Sequence, residues 1–393
     1  MNISYGCLER YNQSYNQYTE LLPQAGALND MEGNMNLKLD IALEDLKETA
    51  KRIADYTFGM DLTWDWPGGV AFYGISRLFE VTGEHAYLDR MIDWVEEYLE
   101  AGIPEEWTVN TCAMGHMLLT LYDQTKDQKY LDLILSKIDY LEHQALRFGD
   151  RVLQHTVSAN NDFPEQCWAD TLFMAAYLEL RVGVMLEKKT LIDDALHQFE
   201  RHIHYLQDED SGLWYHGYNH VKKDHMSAIH WARANAWAAY TMSRAARGLP
   251  EGYLYPPMMH IWSSLRDQLA AVKRLQHEDG LWGTVLDYPD AYGEVSATAG
   301  IAAAMVMQGN PLHAKYVRRA LDGVLANIAD NGRVLNVSGG TAVMNDIEGY
   351  LGIDRKWAQG WGQGLALAFL AAVIEVVEAQ RNRELSRRSD QVD

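Results

Sequence analysis

Six stretches of this chain are apolar or small at nearly every position, a pattern that fits neither a surface helix nor an alternating strand. They are residues 70–79 (VAFYGISRLF), 111–121 (TCAMGHMLLTL), 171–180 (TLFMAAYLEL), 234–242 (ANAWAAYTM), 298–307 (TAGIAAAMVM) and 365–374 (LALAFLAAVI). A helix that is apolar all round must be buried on every side, and the Ala and Gly in these runs let neighbouring backbones approach closely. The first two starts lie 41 residues apart and the later ones 60 to 67 apart, a long period for the common helical repeats.

Ordinary amphipathic helices fill the intervals. Leu88, Met91, Ile92, Val95 and Leu99 recur at helical spacing, as do Tyr130, Leu133, Ile134, Ile138 and Leu141. Alternating stretches at 213–218 and 281–286 are short and read as loop hairpins rather than as a central sheet. Six pairs of one buried and one half-exposed helix predict an all-α fold, an (α/α)6 barrel. A helical solenoid is the competitor, but the terminal units do not read as polar caps. The chain is expected to form one domain over residues 1–393, with a short N-terminal extension and a charged tail after Val377 that reads as frayed.

With 34 Lys and Arg against 55 Asp and Glu, the net charge of −21 argues against nucleic acid or an anionic membrane surface as a partner. Cys7, Cys112 and Cys167 are too few for a disulfide framework, and no run of 18 apolar residues occurs. The N-terminus lacks the basic and apolar segments of a secretion signal, so the protein reads as cytoplasmic. Twelve Trp and 22 Tyr against 8 Phe favour rings with a polar handle, the kind that line sugar sites.

Trp and titratable residues collect where the chain enters each buried helix: Trp64-Asp65-Trp66, Glu106-Trp107 ahead of Asn110, Trp168-Ala169-Asp170, Trp231-Ala232-Arg233, Glu294, and Trp357 to Trp361. In a barrel of alternating helices these entries share one end, so six helix N-termini and Arg233 would make a locally positive mouth within an acidic protein. Asp170 is the candidate general acid. Desolvation there would raise its pKa, whereas a helix-capping role would lower it, and position alone does not separate the two. Glu294 or Asp65 could complete a carboxylate pair, or Glu294 could serve backbone N–H groups. Arg233 is either a carboxylate clamp or the partner of an acid in the next loop. His216, His220, His225 and His230 resemble a metal cluster, but their spacings do not share one helix face and no HExxH is present. Nucleotide-binding glycine motifs are also absent.

Taken in order, Gln166 to Met174 (QCWADTLFM), Leu213 to Tyr218 (LWYHGY), Trp231 to Trp237 (WARANAW) and Val337 to Thr341 (VSGGT) resemble the unsaturated rhamnogalacturonyl hydrolases of glycoside hydrolase family 105, with the unsaturated glucuronyl hydrolases of family 88 as relatives. The resemblance implies an (α/α)6 barrel enzyme that removes a 4,5-unsaturated uronic acid from small acidic oligosaccharides left by polysaccharide lyases. The reaction would hydrate the C4=C5 double bond, with no metal and no organic cofactor. It makes Asp170 the catalytic acid and base, and Trp168, His216, Arg233, Trp237, His155 and Asn110 the substrate-binding set. The assembly expected is a monomer or homodimer. The chain departs from the family in two places: no Asp precedes Asn110 in the D-x-x-N-x-G position, where Glu106 or Asp65 could substitute. Ala234 and Ala236 also stand where small residues, usually Gly, are expected, which would narrow the pocket floor. A conventional glycosidase or sugar epimerase, or a non-catalytic carbohydrate-binding toroid, are the alternatives on the same barrel.

Overall fold

A computed structural model describes residues 41–104, 107–250, 253 and 255–389. Outer helix α1 (Leu43–Phe58) leads to inner α2 (Trp66–Thr82) and outer α3 (His85–Ala101). A 3-10 turn (Asn110–Met114) opens inner α4 (Gly115–Thr125), followed by outer α5 (Gln128–His143). A π-helical turn (Leu172–Ala176) opens inner α6 (Tyr177–Met185), followed by outer α7 (Lys189–Leu206). Inner α8 (Ala232–Gly248), outer α9 (Met258–Lys273), inner α10 (Val295–Gln308) and outer α11 (Ala314–Leu325) continue the alternation. A short α12 (Ile347–Leu351) precedes inner α13 (Gly360–Ser389).

Each apolar stretch lies in an inner helix. Successive inner helices pack side by side, and α13 closes the ring on α2. The sixth outer helix is α1, packed on α13, so the last hairpin is assembled from the two ends of the chain. The inner helices begin and end on local signals: Asp65 accepts the Trp66 N–H at 2.7 Å, Pro67 sits in the first turn of α2, and Gly83 ends it in the left-handed region.

Closure depends on two glycines facing each other across the α2–α13 seam. A Cβ on Gly74 would lie 2.3 Å from the Gly364 carbonyl oxygen, and one on Gly364 would lie 2.0 Å from that of Val70. Backbone, not a flexible side chain, occupies the space. Gly364→Ala is therefore expected to cost about 3 kcal/mol or more by forcing the seam apart, read as a lowered urea midpoint at unchanged secondary structure.

The strands are two- and three-residue ribbons: β1 (Arg147–Phe148) with β2 (Val152–Leu153), β3 (Gln166–Trp168) with β4 (Gly217–Asn219), and β5 (Trp282–Gly283) with β6 (Gly293–Glu294), all antiparallel. The stretch at 213–218 is thus not a simple local hairpin. Trp214 bridges back to Gln207, while the chain just beyond joins the entry to the third inner helix.

One sequence expectation needs correction. The charged tail does not fray at Val377, because α13 continues as helix to Ser389. The same helix has a span long and apolar enough to cross a membrane by length and composition. Most of that span is buried inside the protein, where its apolar residues form one wall of the barrel. The expected N-terminal extension falls largely outside the described residues.

Candidate active site

The N-termini of the inner helices gather at one end, around a pit of about 370 Å³. Trp66, Asn110, Trp168, Asp170, Trp231 and Arg233 come from four successive entries, and residues 340–342 close the wall from the loop before α13.

Asp170 stands at the start of the third inner helix. The β3–β4 ribbon pins the preceding Trp168 opposite Gly217, and the Ala169 N–H donates to the His216 carbonyl at 3.1 Å. This brings His216 beside Asp170 although 46 residues separate them in sequence. The carboxylate takes donors from outside its own helix: Trp237 Nε1–H donates to Oδ1 at 3.0 Å, and Oδ2 faces His216 Nε2 at 3.4 Å. It caps nothing, and its pKa is not raised as desolvation alone would dictate. Burial pushes the carboxyl up, but the His216 hydrogen bond, the neighbouring His216 and His155 imidazoles and the Arg233 guanidinium bring it below the usual carboxylate range.

His216 and Trp237 are buried behind Asp170, so they meet the carboxylate rather than the open pit. His155 does reach the pit: it hydrogen-bonds the Thr171 hydroxyl at 3.0 Å and stacks on Trp168 with ring centres 4.4 Å apart. Burial pushes its pKa down to about 4, so the ring is neutral. Asn110 also lines the pit, its backbone N–H donating to the Thr156 carbonyl at 3.2 Å.

Arg233 borders the pit but is only 1% exposed. Nη1 donates to Ser338 O at 2.9 Å and Oγ at 2.6 Å and lies 3.4 Å from Glu294 Oε1, while Nη2 donates to Gly339 O at 2.7 Å. Glu294 in turn caps α10 through the Ala297 N–H at 2.6 Å and accepts the Ser338 N–H at 2.9 Å. The ion pair thus staples two entries and the 338–339 loop together, and Glu294 offsets the positive charge expected of Arg233. The mouth is accordingly not cationic in formal charge: its positive character rests on helix N-termini.

The profile of Glycosyl Hydrolase Family 88 matches residues 44–378. The chain belongs to this family. The unsaturated rhamnogalacturonyl hydrolase YesR of Bacillus subtilis (strain 168) is 46% identical over 333 residues, spanning 84% of this chain and 96% of that protein. A possible GH105 family member from Salmonella enterica superposes with a TM-score of 0.80 at 26% identity, covering 86% of this chain and 95% of that one. A second, from Klebsiella pneumoniae, gives 0.80 at 27%, covering 86% and 94%.

Several other expectations for this family 88 hydrolase resolve geometrically. Asp65 is spent as the cap of α2, and Glu106 lies outside the described residues. Ala236 does not narrow the pit floor; a Cβ on Gly300 would stand 2.8 Å from its methyl, so it packs against the next inner helix. The four histidines disperse: His216 to Asp170 and Tyr350, His220 against Phe148, His225 to the Tyr205 carbonyl and His230 to Asp287. Among the described residues no group of three His, Cys, Asp or Glu side chains is arranged to hold a metal ion. Trp66, Trp231 and residues 340–342 were missing from the sequence-based set of binding residues. The two Trp carry a legible signal, an aromatic at or beside the first turn of an inner helix, whereas the loop is marked only by the Val337–Thr341 motif at its start.

Proposed function

We propose that this family 88 hydrolase removes a 4,5-unsaturated uronic acid from the non-reducing end of lyase-generated oligosaccharides of the rhamnogalacturonan type. The observation that carries the reading is that Asp170 is the one carboxylate lining the pit among the described residues. A two-carboxylate displacement at the anomeric carbon needs a second acid at a defined separation, and Glu294 is committed to helix capping. Hydration of an enol ether needs one group that gives a proton and then takes one. In its acid form Asp170 protonates C4, leaving an oxocarbenium ion at C5. Water adds at C5 and returns its proton to the Asp170 carboxylate. The C5 hemiketal opens by C5–O5 cleavage, and the hemiacetal left at C1 collapses, releasing the remaining sugar and an acyclic 5-keto uronate.

Trp168 and His155, stacked on each other, form a flat wall against which a sugar ring fits. Similarity to YesR supports the rhamnogalacturonan preference. The described cysteines, Cys112 and Cys167, are unpaired and buried, which supports a reducing, cytoplasmic setting.

The test offers matched saturated and unsaturated disaccharides. Loss of double-bond absorbance is expected with the unsaturated galacturonyl-rhamnose, and no sugar release from its saturated counterpart. Equal turnover of the saturated compound would point to conventional glycosidase chemistry.

A further inference from the structure

Behind Asp170 a chain of polar contacts continues away from the pit and ends on a residue of α12. Tyr350 is completely buried, and its phenol oxygen lies 2.7 Å from His216 Nδ1. The Met344 N–H donates to the same oxygen at 3.2 Å. On the other side of the imidazole, His216 Nε2 and Asp170 Oδ2 are buried and meet only each other, 3.4 Å apart.

With Asp170 ionised, these contacts favour one arrangement of protons. With its oxygen already receiving the Met344 N–H, the phenol directs its own O–H at His216 Nδ1, which is then the lone-pair nitrogen. The ring proton sits on Nε2 and donates to Asp170. The opposite tautomer would turn a lone pair toward a carboxylate and leave two acceptors facing each other in a buried site, a costly arrangement. We infer that Tyr350 is a positioning residue that holds His216 in the Nε2–H tautomer and thereby sets how firmly Asp170 keeps its proton.

This rests on the reading of Asp170 as catalytic acid and base. The groups facing the carboxylate are His216, His155 and Arg233, and those facing His216 are Asp170, Arg233 and Tyr350. None of the others can supply a proton to Nδ1. Burial holds the phenol well above its ordinary pKa, so it stays a donor throughout the working range. The β3–β4 ribbon fixes His216 beside Asp170 at the third entry, whereas Tyr350 arrives on a five-residue helix capped by Asp346. The relay thus joins α12 to the third entry of the barrel.

The test combines 15N spectra of histidine-labelled full-length protein with pH profiles of the unsaturated-disaccharide reaction. The His216 signals are assigned by their disappearance in His216→Gln. Wild-type His216 is expected as the neutral Nε2–H form, and a wild-type Nδ1–H form overturns the inference whether or not any variant folds. In Tyr350→Phe the tautomer preference should be lost and kcat should fall about tenfold with KM little changed. The alkaline limb of kcat should move upward by about half a pH unit or more, because Asp170 loses a donor that favours its charged form. An unchanged tautomer or an unchanged limb in a folded Tyr350→Phe protein overturns it. The tautomer needs no turnover to be read, so activity surviving in Asp170→Asn would remove the catalytic reading and leave the tautomer to be decided on its own.

Discussion

Replacing Asp170 by Asn should lower kcat on an unsaturated disaccharide by roughly 10³- to 10⁴-fold, because the one group lost serves both half-reactions. The amide can neither protonate C4 nor accept a proton from water. The fold should survive: the Asn carbonyl still accepts from Trp237 Nε1–H, and Asp170 caps no helix. The remaining strain is local, since the Asn amide would present N–H to His216 Nε2–H, and a shift in Tm of no more than about 5 °C is expected. The pH profile gives a second reading. In the free enzyme the Asp170 carboxyl titrates below the usual carboxylate range. A bound uronate excludes water and brings a like charge, and both raise the carboxyl pKa. The acid form is required for the first step, so kcat should fall on the alkaline side of a limb lying above that range. Turnover within tenfold of wild type in Asp170→Asn, or a kcat without an alkaline limb, would place the chemistry elsewhere.

Acid should unfold this protein well before its carboxylates are neutralised. Burial pushes His155, His202 and His313 down to about 4 and His116 well below its ordinary value. His116 shows why: Nε2–H donates to the Phe173 carbonyl at 2.9 Å, and Nδ1 accepts from the Arg181 guanidinium at 3.1 Å, so a second proton would have to face a cation. All four are neutral in the native state and bind a proton in the unfolded chain near pH 6.5. Their stabilising share is complete above pH 6.5 and is lost as pH falls from there towards 4, about 3 kcal/mol for each ring shifted to about 4. Glu179 acts in the opposite direction: burial raises its pKa, so acid relieves one buried charge. Several protons against one still leaves a loss comparable to the whole stability of an ordinary domain. Thermal melts between pH 7.5 and 4.5 should show Tm falling steeply below pH 6.5, and His202→Gln should flatten the slope. A Tm independent of pH over that range would contradict the burial of these rings.

The barrel was legible because its inner helices leave a composition that no other element tolerates. Residues 70–79 or 298–307 could only be helices buried on all sides, and six of them at long spacing leave few architectures. The entries were legible for a related reason: Trp, Asp and Arg placed directly before an apolar run must stand where a buried helix meets solvent. Asp170 and Trp168 were found that way. Arg233 was found too, and pairing with an acid of the next loop was one of its two readings, but which acid was not legible, since Glu294 sits 61 residues later and reaches it only when neighbouring entries share one rim.

What sequence by itself determined is therefore a period and a polarity: six buried helices, and one end on which their polar starts collect. Only tertiary structure decided the proton chemistry. The pKa of Asp170 depends on His216, His155 and Arg233, which lie 46, 15 and 63 residues away in the chain. No local pattern encodes that distance, because helix periodicity records which face is buried but not which neighbour buries it. A carboxylate between a ring N–H and an indole N–H exists only once the ring of helices has closed.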